Sequence, residues 1–340
     1  MSSREVVTVP HRKQQPMSTS GFSPAWWLPG PHAQTLWGKL VRRRMPHPTR
    51  IERLETPDGD FLDIHRVDAS GSAPLLVLLH GLEGTIRSHY IQGLLREAHR
   101  RSWNAAVTIF RSCGDEMNRT RRFYHSGETT DLAFALGHLE RSAPESPMLL
   151  AGASLGGNVL LKYLGEQARD VSPRVRGAAA ISVPFDLGRS ARRIDMGFSR
   201  VYQRHFIRSL RRKAIAKLER YPDLVPRHRL SAVRTMVDFD DSFTAPLHGF
   251  RNADDYYARS SSLGWLDRIS INTLLLSSVD DPFLPAQVLD DVRAEAGNNP
   301  FLHLEFTSGG GHVGFVGGRN PLKPAYYLEK RTGDFLAGTL

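Results

Sequence analysis

Short, continuously apolar stretches alternate along the chain with longer stretches in which apolar residues recur at helical spacing. The apolar stretches have the length of buried strands and lie at 75–79, 103–110, 177–183, 271–277 and 302–306, with one more directly before Ser154. The helix-like stretches lie at 88–101, 128–141, 155–166, 285–296 and 322–340. Strands that alternate with helices in this way build a mostly parallel sheet with helices on both faces. We therefore predict an α/β fold.

The first part of the chain follows a different pattern. Polar and apolar residues alternate at 51–54 and 61–67 around Pro57-Asp58-Gly59, which predicts a hairpin. Residues 22–37 combine aromatic side chains with Pro29 and Pro31. Because proline lacks a backbone N–H, we predict no regular helix near these prolines and an extension packed on the core. A lid strip and a membrane-interface foot are the alternatives.

The alternation of strands and helices also pauses between about residues 184 and 267, where the chain is helix-like and irregular. An insertion at this point of an α/β domain would lie above the carboxyl ends of the strands. We therefore predict a core at 21–184 and 267–340, and a helical cap at 185–266. The polar residues 1–20 are predicted to be a disordered arm.

Composition excludes several classes of protein. The only cysteine, Cys113, rules out an internal disulfide framework and a zinc site of several cysteines, and we interpret it as a packing residue. No apolar run is long enough for a transmembrane helix, and residues 1–20 lack the apolar centre of a signal peptide. These observations favour a cytoplasmic protein.

The net charge of +10 favours anionic partners. We find no nucleic-acid-binding motif, so a soluble enzyme with an arginine-rich surface is the preferred interpretation and no nucleic-acid partner is predicted. Segment 189–229 interleaves many arginines with aromatic and aliphatic residues. It predicts a basic amphipathic helix pair, either a solvated face or a peripheral contact with an anionic membrane.

The strongest candidate for chemistry is the turn Gly152-Ala-Ser154-Leu-Gly156, which connects an apolar strand to an apolar helix. Its Gly-x-Ser-x-Gly pattern resembles the nucleophile elbow of α/β hydrolases. A sharp turn of this kind brings strand and helix into near contact, so the flanking positions must lack bulky side chains. We predict that Ser154 is a nucleophile.

A serine hydroxyl needs a general base, and the base needs a carboxylate that orients it. In the hydrolase fold these residues follow in the order serine, acid, histidine. The pair Asp280-Asp281 follows the apolar run at 271–277, and His312 follows the last predicted strand after three glycines. Either aspartate could be the acid, and one of the pair could instead cap the next helix. His312 is the predicted base.

Stabilisation of an oxyanion requires two N–H donors. One is predicted at Leu155, directly after the nucleophile, and the other at Leu82, in the loop after an early strand. The alternative interpretation of the second loop is a plain turn after a core strand.

The motifs together resemble the YheT-like group of the α/β-hydrolase superfamily, which is related to the mammalian ABHD1/ABHD3-type esterases. The segments that carry the resemblance are 24–37, 80–84, 124–128, 152–158, 239–246 and 309–315. The resemblance implies a Ser-Asp-His hydrolase that acts on small-molecule or lipid esters without a cofactor or metal. It favours Asp281 as the acid, because many such hydrolases place a hydrophobe two residues later and a proline four residues later. The mammalian relatives carry an N-terminal membrane anchor, which we do not expect here.

The sequence thus predicts a serine esterase whose triad is Ser154, Asp281 and His312. An acyltransferase or thioesterase would use the same triad, and a non-catalytic ligand-binding protein could retain it. Substrate, acyl length and oligomeric state do not follow from these patterns.

Overall fold

The computed structural model describes residues 21–42, 47–69 and 71–340. The predicted arm at 1–20 lies outside the described residues. None of the helices in the described ranges is both long enough and apolar enough to cross a bilayer.

An eight-stranded sheet forms the centre of the molecule, with strand order β1-β2-β4-β3-β5-β6-β7-β8. The strands are β1 (Arg50–Glu55), β2 (Phe61–Val67), β3 (Leu75–Leu79), β4 (Asn104–Ile109), β5 (Met148–Ala153), β6 (Val175–Ile181), β7 (Thr273–Ser278) and β8 (Leu302–Thr307). Strands β1 and β2 pair as an antiparallel hairpin, and β2 pairs antiparallel with β4. All the other pairs in the sheet are parallel. The predicted α/β architecture is confirmed.

Twelve α-helices lie in the described ranges. They are α1 (Gly30–Leu40), α2 (His89–Arg100), α3 (Thr130–Ser142), α4 (Leu155–Gln167), α5 (Leu187–Arg193), α6 (Arg200–Arg220), α7 (Arg227–Ala232), α8 (Met236–Phe239), α9 (Ala245–Leu247), α10 (Ala253–Ser260), α11 (Ala286–Ala296) and α12 (Tyr327–Ala337). A small antiparallel pair, β9 (Val316–Gly317) with β10 (Ala325–Tyr326), follows the main sheet.

The middle of the sheet is buried on both faces. Every residue of β3, β4, β5 and β7 is buried, which explains why apolar residues follow one another in these strands instead of alternating with polar ones. A parallel sheet of this kind is stable only when helices cover both of its faces. Its carboxyl ends then form one edge at which loops from distant parts of the sequence meet.

Two sequence predictions were wrong in detail. Helix α1 begins at Gly30 although no regular helix was predicted near Pro31. Pro31 occupies the first turn, where the backbone N–H has no intrahelical acceptor to lose, so proline is tolerated there. The last helix begins at Tyr327 rather than 322, because Pro324 and the strand β10 precede it.

The chain between β6 and β7 contains helices and no strand. Helices α5 to α10 lie in this segment, where the sequence predicts a cap at 185–266. We refer to this segment as the proposed cap. Its basic residues do not all reach the surface: Lys217 on α6 is fully buried, and its ammonium donates to Asn118 Oδ1 at 2.6 Å and to Thr120 O at 2.7 Å.

Close packing around the β5–α4 turn predicts an intolerance to small additions. A Cβ atom at Gly156 would lie 2.5 Å from the carbonyl oxygen of His80, which is backbone and cannot swing away. We expect Gly156→Ala to lower the free energy of unfolding by about 2 kcal/mol or more, measured by urea denaturation.

Gly137 on α3 is the matched control. An added Cβ there would have only Arg141 Nη1 nearby, at 3.5 Å, so Gly137→Ala should be neutral or stabilising by up to about 1 kcal/mol. Equal effects of the two substitutions would contradict the packing described here.

Candidate active site

Ser154 lies at the tip of the turn between β5 and α4. Its backbone has φ 54° and ψ −123°, a region that residues with side chains rarely adopt. The turn is held because the Ser154 N–H donates to Ile181 O at 2.8 Å on the neighbouring strand. A Cβ at Gly152 would lie 2.4 Å from Gly156 O, so the glycines permit the contact of strand and helix that the turn requires.

The structure brings His312 and Asp281 to Ser154. The Nε2 atom of His312 lies 3.0 Å from Ser154 Oγ, and its Nδ1 atom lies 2.8 Å from Asp281 Oδ2. Since the carboxylate is an acceptor, Nδ1 carries the proton and Nε2 is free to accept from the serine hydroxyl. Asp281 and His312 are both buried, whereas Ser154 is partly exposed.

The two neighbouring aspartates occupy different positions. Asp281 contacts the His312 ring and also accepts the Phe283 N–H at 2.8 Å. Asp280 instead accepts the Gly311 N–H at 2.9 Å and so holds the loop that carries His312. Neither aspartate caps α11, which begins after Pro285 without a side-chain cap.

The extension before β1 also holds the His312 loop. Thr35 on α1 accepts the His312 N–H at 2.9 Å and donates to Pro31 O at 2.7 Å. Gln34 exchanges hydrogen bonds with the backbone of Val316, accepting at 2.8 Å and donating at 3.0 Å. The packed extension is therefore a support for the candidate base, a role that the Pro-rich sequence did not reveal.

The loop after β3 lies against the nucleophile turn. A Cβ at Gly81 would lie 3.0 Å from Ser154 Cβ, which shows how closely the two loops approach. Leu82 and Leu155 both line the cavity into which Ser154 opens. Within the described residues, the N–H groups of Leu82 and Leu155 donate to no protein acceptor. This is the state expected of donors reserved for a ligand oxygen.

Comparison with known proteins identifies the fold. The family described as the alpha/beta hydrolase fold matches residues 74–318. The chain belongs to this family. It is 39% identical to YheT of Escherichia coli over 94% of this chain and 94% of that protein. It is 27% identical to Phospholipase ABHD3 of Mus musculus over 92% of this chain and 77% of that protein. The predicted resemblance to the YheT-like group is confirmed.

A solved structure agrees on the fold. The esterase Pf2001 of Pyrococcus furiosus superimposes with a TM-score of 0.58 and 17% sequence identity, covering 88% of this chain and 97% of that chain. At this level of identity the likeness extends to the fold alone.

Buried side chains fix the loop after β3. His80 is fully buried, and its Nδ1–H donates to Gly81 O at 2.8 Å while Nε2 accepts the Phe110 N–H at 3.2 Å. The Tyr90 hydroxyl accepts the Gly81 N–H at 2.8 Å. Because Gly81 O and the Leu82 N–H belong to the same planar peptide group, the His80 contact holds the direction in which the Leu82 N–H points.

Glu83 links this hydrolase loop to the proposed cap. Its N–H donates to the Tyr124 hydroxyl at 3.0 Å, and its carboxylate accepts from Tyr124 Oη at 2.7 Å and from Lys213 Nζ at 2.8 Å. The Ser209 hydroxyl is a further donor to the same carboxylate. Ser209 and Lys213 lie on α6, so one helix of the proposed cap binds the side chain of Glu83, the residue next to Leu82.

A cavity of about 740 Å³ opens at Ser154. Its wall is mostly apolar and aromatic, and includes Leu36, Phe123, Ile194, Phe206 and Phe239. Phe283 stacks on the His312 ring with centroids 4.2 Å apart and also contacts Tyr202 of α6, at 4.9 Å between centroids. The candidate base is thus covered on one side by aromatic rings, which keep water away from it.

Other groups near the site do not form a second centre. Cys113 is buried, and burial raises the pKa of its thiol to about 11, so it is a packing residue rather than a thiolate. Among the described residues no group of His, Cys, Asp and Glu side chains has the arrangement of a metal site. The supporting roles of Thr35, Asp280 and Phe283 could not be predicted from the sequence, because each acts on a residue far away in the chain.

The neutral state of His80 predicts a pH dependence of stability. Burial lowers the pKa of His80 to about 4, and burial likewise lowers the pKa of His125 to about 4 and of His248 to about 3. In the unfolded chain these groups bind protons near pH 6.5, so the stability they contribute is complete above that pH and is lost as the pH falls towards 4. For each of these histidines, the contribution to the free energy of unfolding should fall by on the order of 1–2 kcal/mol between pH 7 and pH 5.

Urea denaturation at pH 7, 6 and 5 measures this loss. His80→Asn should give a shallower dependence than the wild type, because one buried neutral imidazole is removed. Titration of His80 near pH 6.5 in the folded protein, observed by NMR, would show that the imidazole is not held neutral.

Proposed function

We propose that the chain is a serine esterase that cleaves carboxylic esters through an acyl-enzyme. The observation that carries the proposal is the hydrogen-bonded line from Ser154 Oγ to His312 Nε2, 3.0 Å, and from His312 Nδ1 to Asp281 Oδ2, 2.8 Å. This is the arrangement that activates a serine hydroxyl at neutral pH. The chain is also similar to a protein named Phospholipase ABHD3, and this similarity supports ester hydrolysis.

In the first half of the proposed reaction, Ser154 Oγ forms a bond to the ester carbonyl carbon and His312 Nε2 takes the hydroxyl proton. The carbonyl electron pair moves to the oxygen, which the Leu82 and Leu155 N–H groups stabilise. When the intermediate collapses, the bond to the alcohol oxygen breaks and His312 returns the proton to the leaving alcohol.

In the second half, water attacks the acyl-enzyme and gives a proton to His312. A second tetrahedral intermediate collapses, the acid is released, and the proton returns to Ser154. Asp281 remains ionised throughout, where it holds the His312 tautomer and stabilises the imidazolium. No step requires a cofactor.

The cavity supports an ester with a large apolar part as the substrate. Its volume of about 740 Å³ lies within the usual range for small-molecule sites, about 300–1,000 Å³, and most of its wall is apolar. An acyl chain or a lipid-like alcohol would bury apolar surface there. An acyltransferase would use the same first half-reaction, and analysis of products with and without an added alcohol or thiol distinguishes the two outcomes.

The mechanism predicts which serine reacts with a fluorophosphonate. Wild type should be labelled, Ser154→Ala should not be labelled, and Ser231→Ala should be labelled like the wild type because Ser231 is an exposed residue of α7. Intact-protein mass spectrometry measures the adduct. Labelling of Ser154→Ala, or no labelling of the wild type, would exclude the proposed nucleophile.

The adjacent aspartates give a matched pair for the acid. Asp281→Asn should lower kcat for a nitrophenyl ester by about 10³- to 10⁴-fold, because the asparagine amide favours the wrong His312 tautomer. Asp280→Asn removes a charge one residue away but leaves the His312 contact in place, so its loss should be much smaller. A larger loss of kcat in Asp280→Asn than in Asp281→Asn would contradict the assignment of Asp281 as the acid.

We further propose that the proposed cap makes a peripheral contact with anionic lipid. On α6, Arg200, Arg204, Arg208 and Arg212 are exposed, and Val201 beside them lines the cavity and is itself half exposed. Leu40 on α1, which also lines the cavity, is 71% exposed. Cations that surround exposed apolar residues at the mouth of an apolar cavity suit a bilayer surface with anionic headgroups. The cytoplasmic location remains a prediction from the sequence.

Sedimentation with vesicles of phosphatidylglycerol and phosphatidylcholine tests this contact. Arg204→Glu with Arg208→Glu should weaken binding to the anionic vesicles by about tenfold or more, since each cation contributes about 1 kcal/mol. Arg169→Glu with Arg176→Glu makes the same change in net charge at exposed positions outside the proposed cap and should have little effect. Equal binding by both double variants, or binding that does not depend on salt, would refute a specific contact of α6.

A further inference from the structure

Asp240 lies in the wall of the same cavity as Ser154 and has no part in the proposed chemistry. It begins a π-helical turn, Asp240–Thr244, between α8 and α9. Such π-helical turns are rare and are frequent at functional sites.

The carboxylate of Asp240 is buried and accepts hydrogen bonds, but it forms no ion pair with a cation of the described chain. Its Oδ1 accepts from the Thr244 hydroxyl at 2.7 Å, and its Oδ2 accepts from the Tyr257 hydroxyl at 2.7 Å. Within the described ranges, no Lys, Arg or His side chain forms an ion pair with Asp240. Burial raises the pKa of Asp240 to about 6, so most of it is ionised at pH 7 and above.

This absence sets Asp240 apart from the other buried carboxylates of the described chain. Each of the others has a cationic or imidazole partner: Asp60 and Asp131 with Arg111, Asp63 with Arg53, Glu128 with Arg122, Glu305 with Arg331, Glu329 with Arg42, and Asp281 with His312. A buried charge without a partner is unfavourable by several kcal/mol, in order of magnitude. A ligand that supplies the missing charge would remove this penalty.

The wall around Asp240 carries further polar groups in a cavity that is otherwise mostly apolar. Ser190 on α5 also lines the cavity, and its buried hydroxyl has no hydrogen-bond partner among the described residues. Thr244 and Tyr257, the two donors to Asp240, line the cavity as well. Asp240, Ser190, Thr244 and Tyr257 all belong to the proposed cap, so the cap contributes these polar groups to the cavity wall.

We propose that Asp240 binds an ammonium group, one with N–H donors, on the substrate of the proposed esterase, with Ser190 as a second contact. The proposal rests on the proposed function, since it assigns a specificity-determining residue to the same cavity. It narrows the substrate class to esters that carry a protonated amine at a distance from the reacting carbonyl. The ammonium would donate to the free lone pairs of the carboxylate and neutralise its charge.

Fluorophosphonates with alkyl chains that end in an ammonium, a hydroxyl or a methyl group test the proposal. The measurement is the second-order rate constant for labelling of Ser154, over several chain lengths. At the best length, wild type should favour the ammonium probe over the methyl probe by about tenfold or more, the contribution of a charged hydrogen bond. In Asp240→Asn this ratio should fall by about tenfold, while the methyl probe still labels Ser154.

Asp241→Asn is the matched control, because Asp241 is the next residue and is exposed. It removes the same charge and should leave the ratio unchanged. A ratio near one in the wild type overturns the proposal whatever the variants do, and so does an equal fall in both variants. An Asp240-dependent preference for the hydroxyl probe over the ammonium probe overturns the assignment of a cation.

The methyl probe separates this proposal from the proposed function. If it labels Ser154 but the ammonium probe has no advantage, only the role of Asp240 fails. If no probe labels Ser154, the proposed esterase and the assignment of its substrate both fail.

Discussion

The candidate site depends on one contact between distant parts of the chain. His312 Nε2 lies 3.0 Å from Ser154 Oγ although the two residues are 158 positions apart. The parallel sheet makes this contact feasible because the carboxyl ends of β5, β7 and β8 share one edge. The arrangement requires backbone strain and close packing only near Ser154. Ser154 adopts a strained backbone conformation, and the glycines beside it leave no room for side chains.

Three separate parts of the chain hold the candidate site. The sheet fixes Ser154 and Asp281, α1 of the extension fixes the backbone of His312 through Thr35, and α6 of the proposed cap fixes Glu83 next to Leu82. Hydrogen bonds of this kind determine position more than stability, because each replaces a bond to water and contributes only about 1 kcal/mol. A movement of α1 or α6 would therefore change the candidate site directly.

Charge is distributed unevenly in the molecule. Most buried acids form ion pairs with arginines, while Arg200, Arg204, Arg208 and Arg212 of α6 are exposed. Asp240 is the buried acid of the described chain that lacks such a partner, and it lies in the wall of the cavity. The cavity thus has arginines near its mouth and the carboxyl group of Asp240 in its wall, an asymmetry that would orient a substrate of the proposed esterase.

The sequence by itself determined the architecture and the candidates for chemistry. Continuous apolar runs and helical spacing are local patterns, so they predicted the central strands and most helices, and the Gly-x-Ser-x-Gly turn, the Asp280-Asp281 pair and the glycines before His312 are local as well. Only the tertiary structure decided which aspartate faces His312, that Pro31 begins a helix, that Thr35 and Glu83 hold the loops of the candidate site, and that Asp240 is buried without a cation. The physical reason is that burial and pairing depend on which distant side chains approach, and a linear pattern carries no information about those distances.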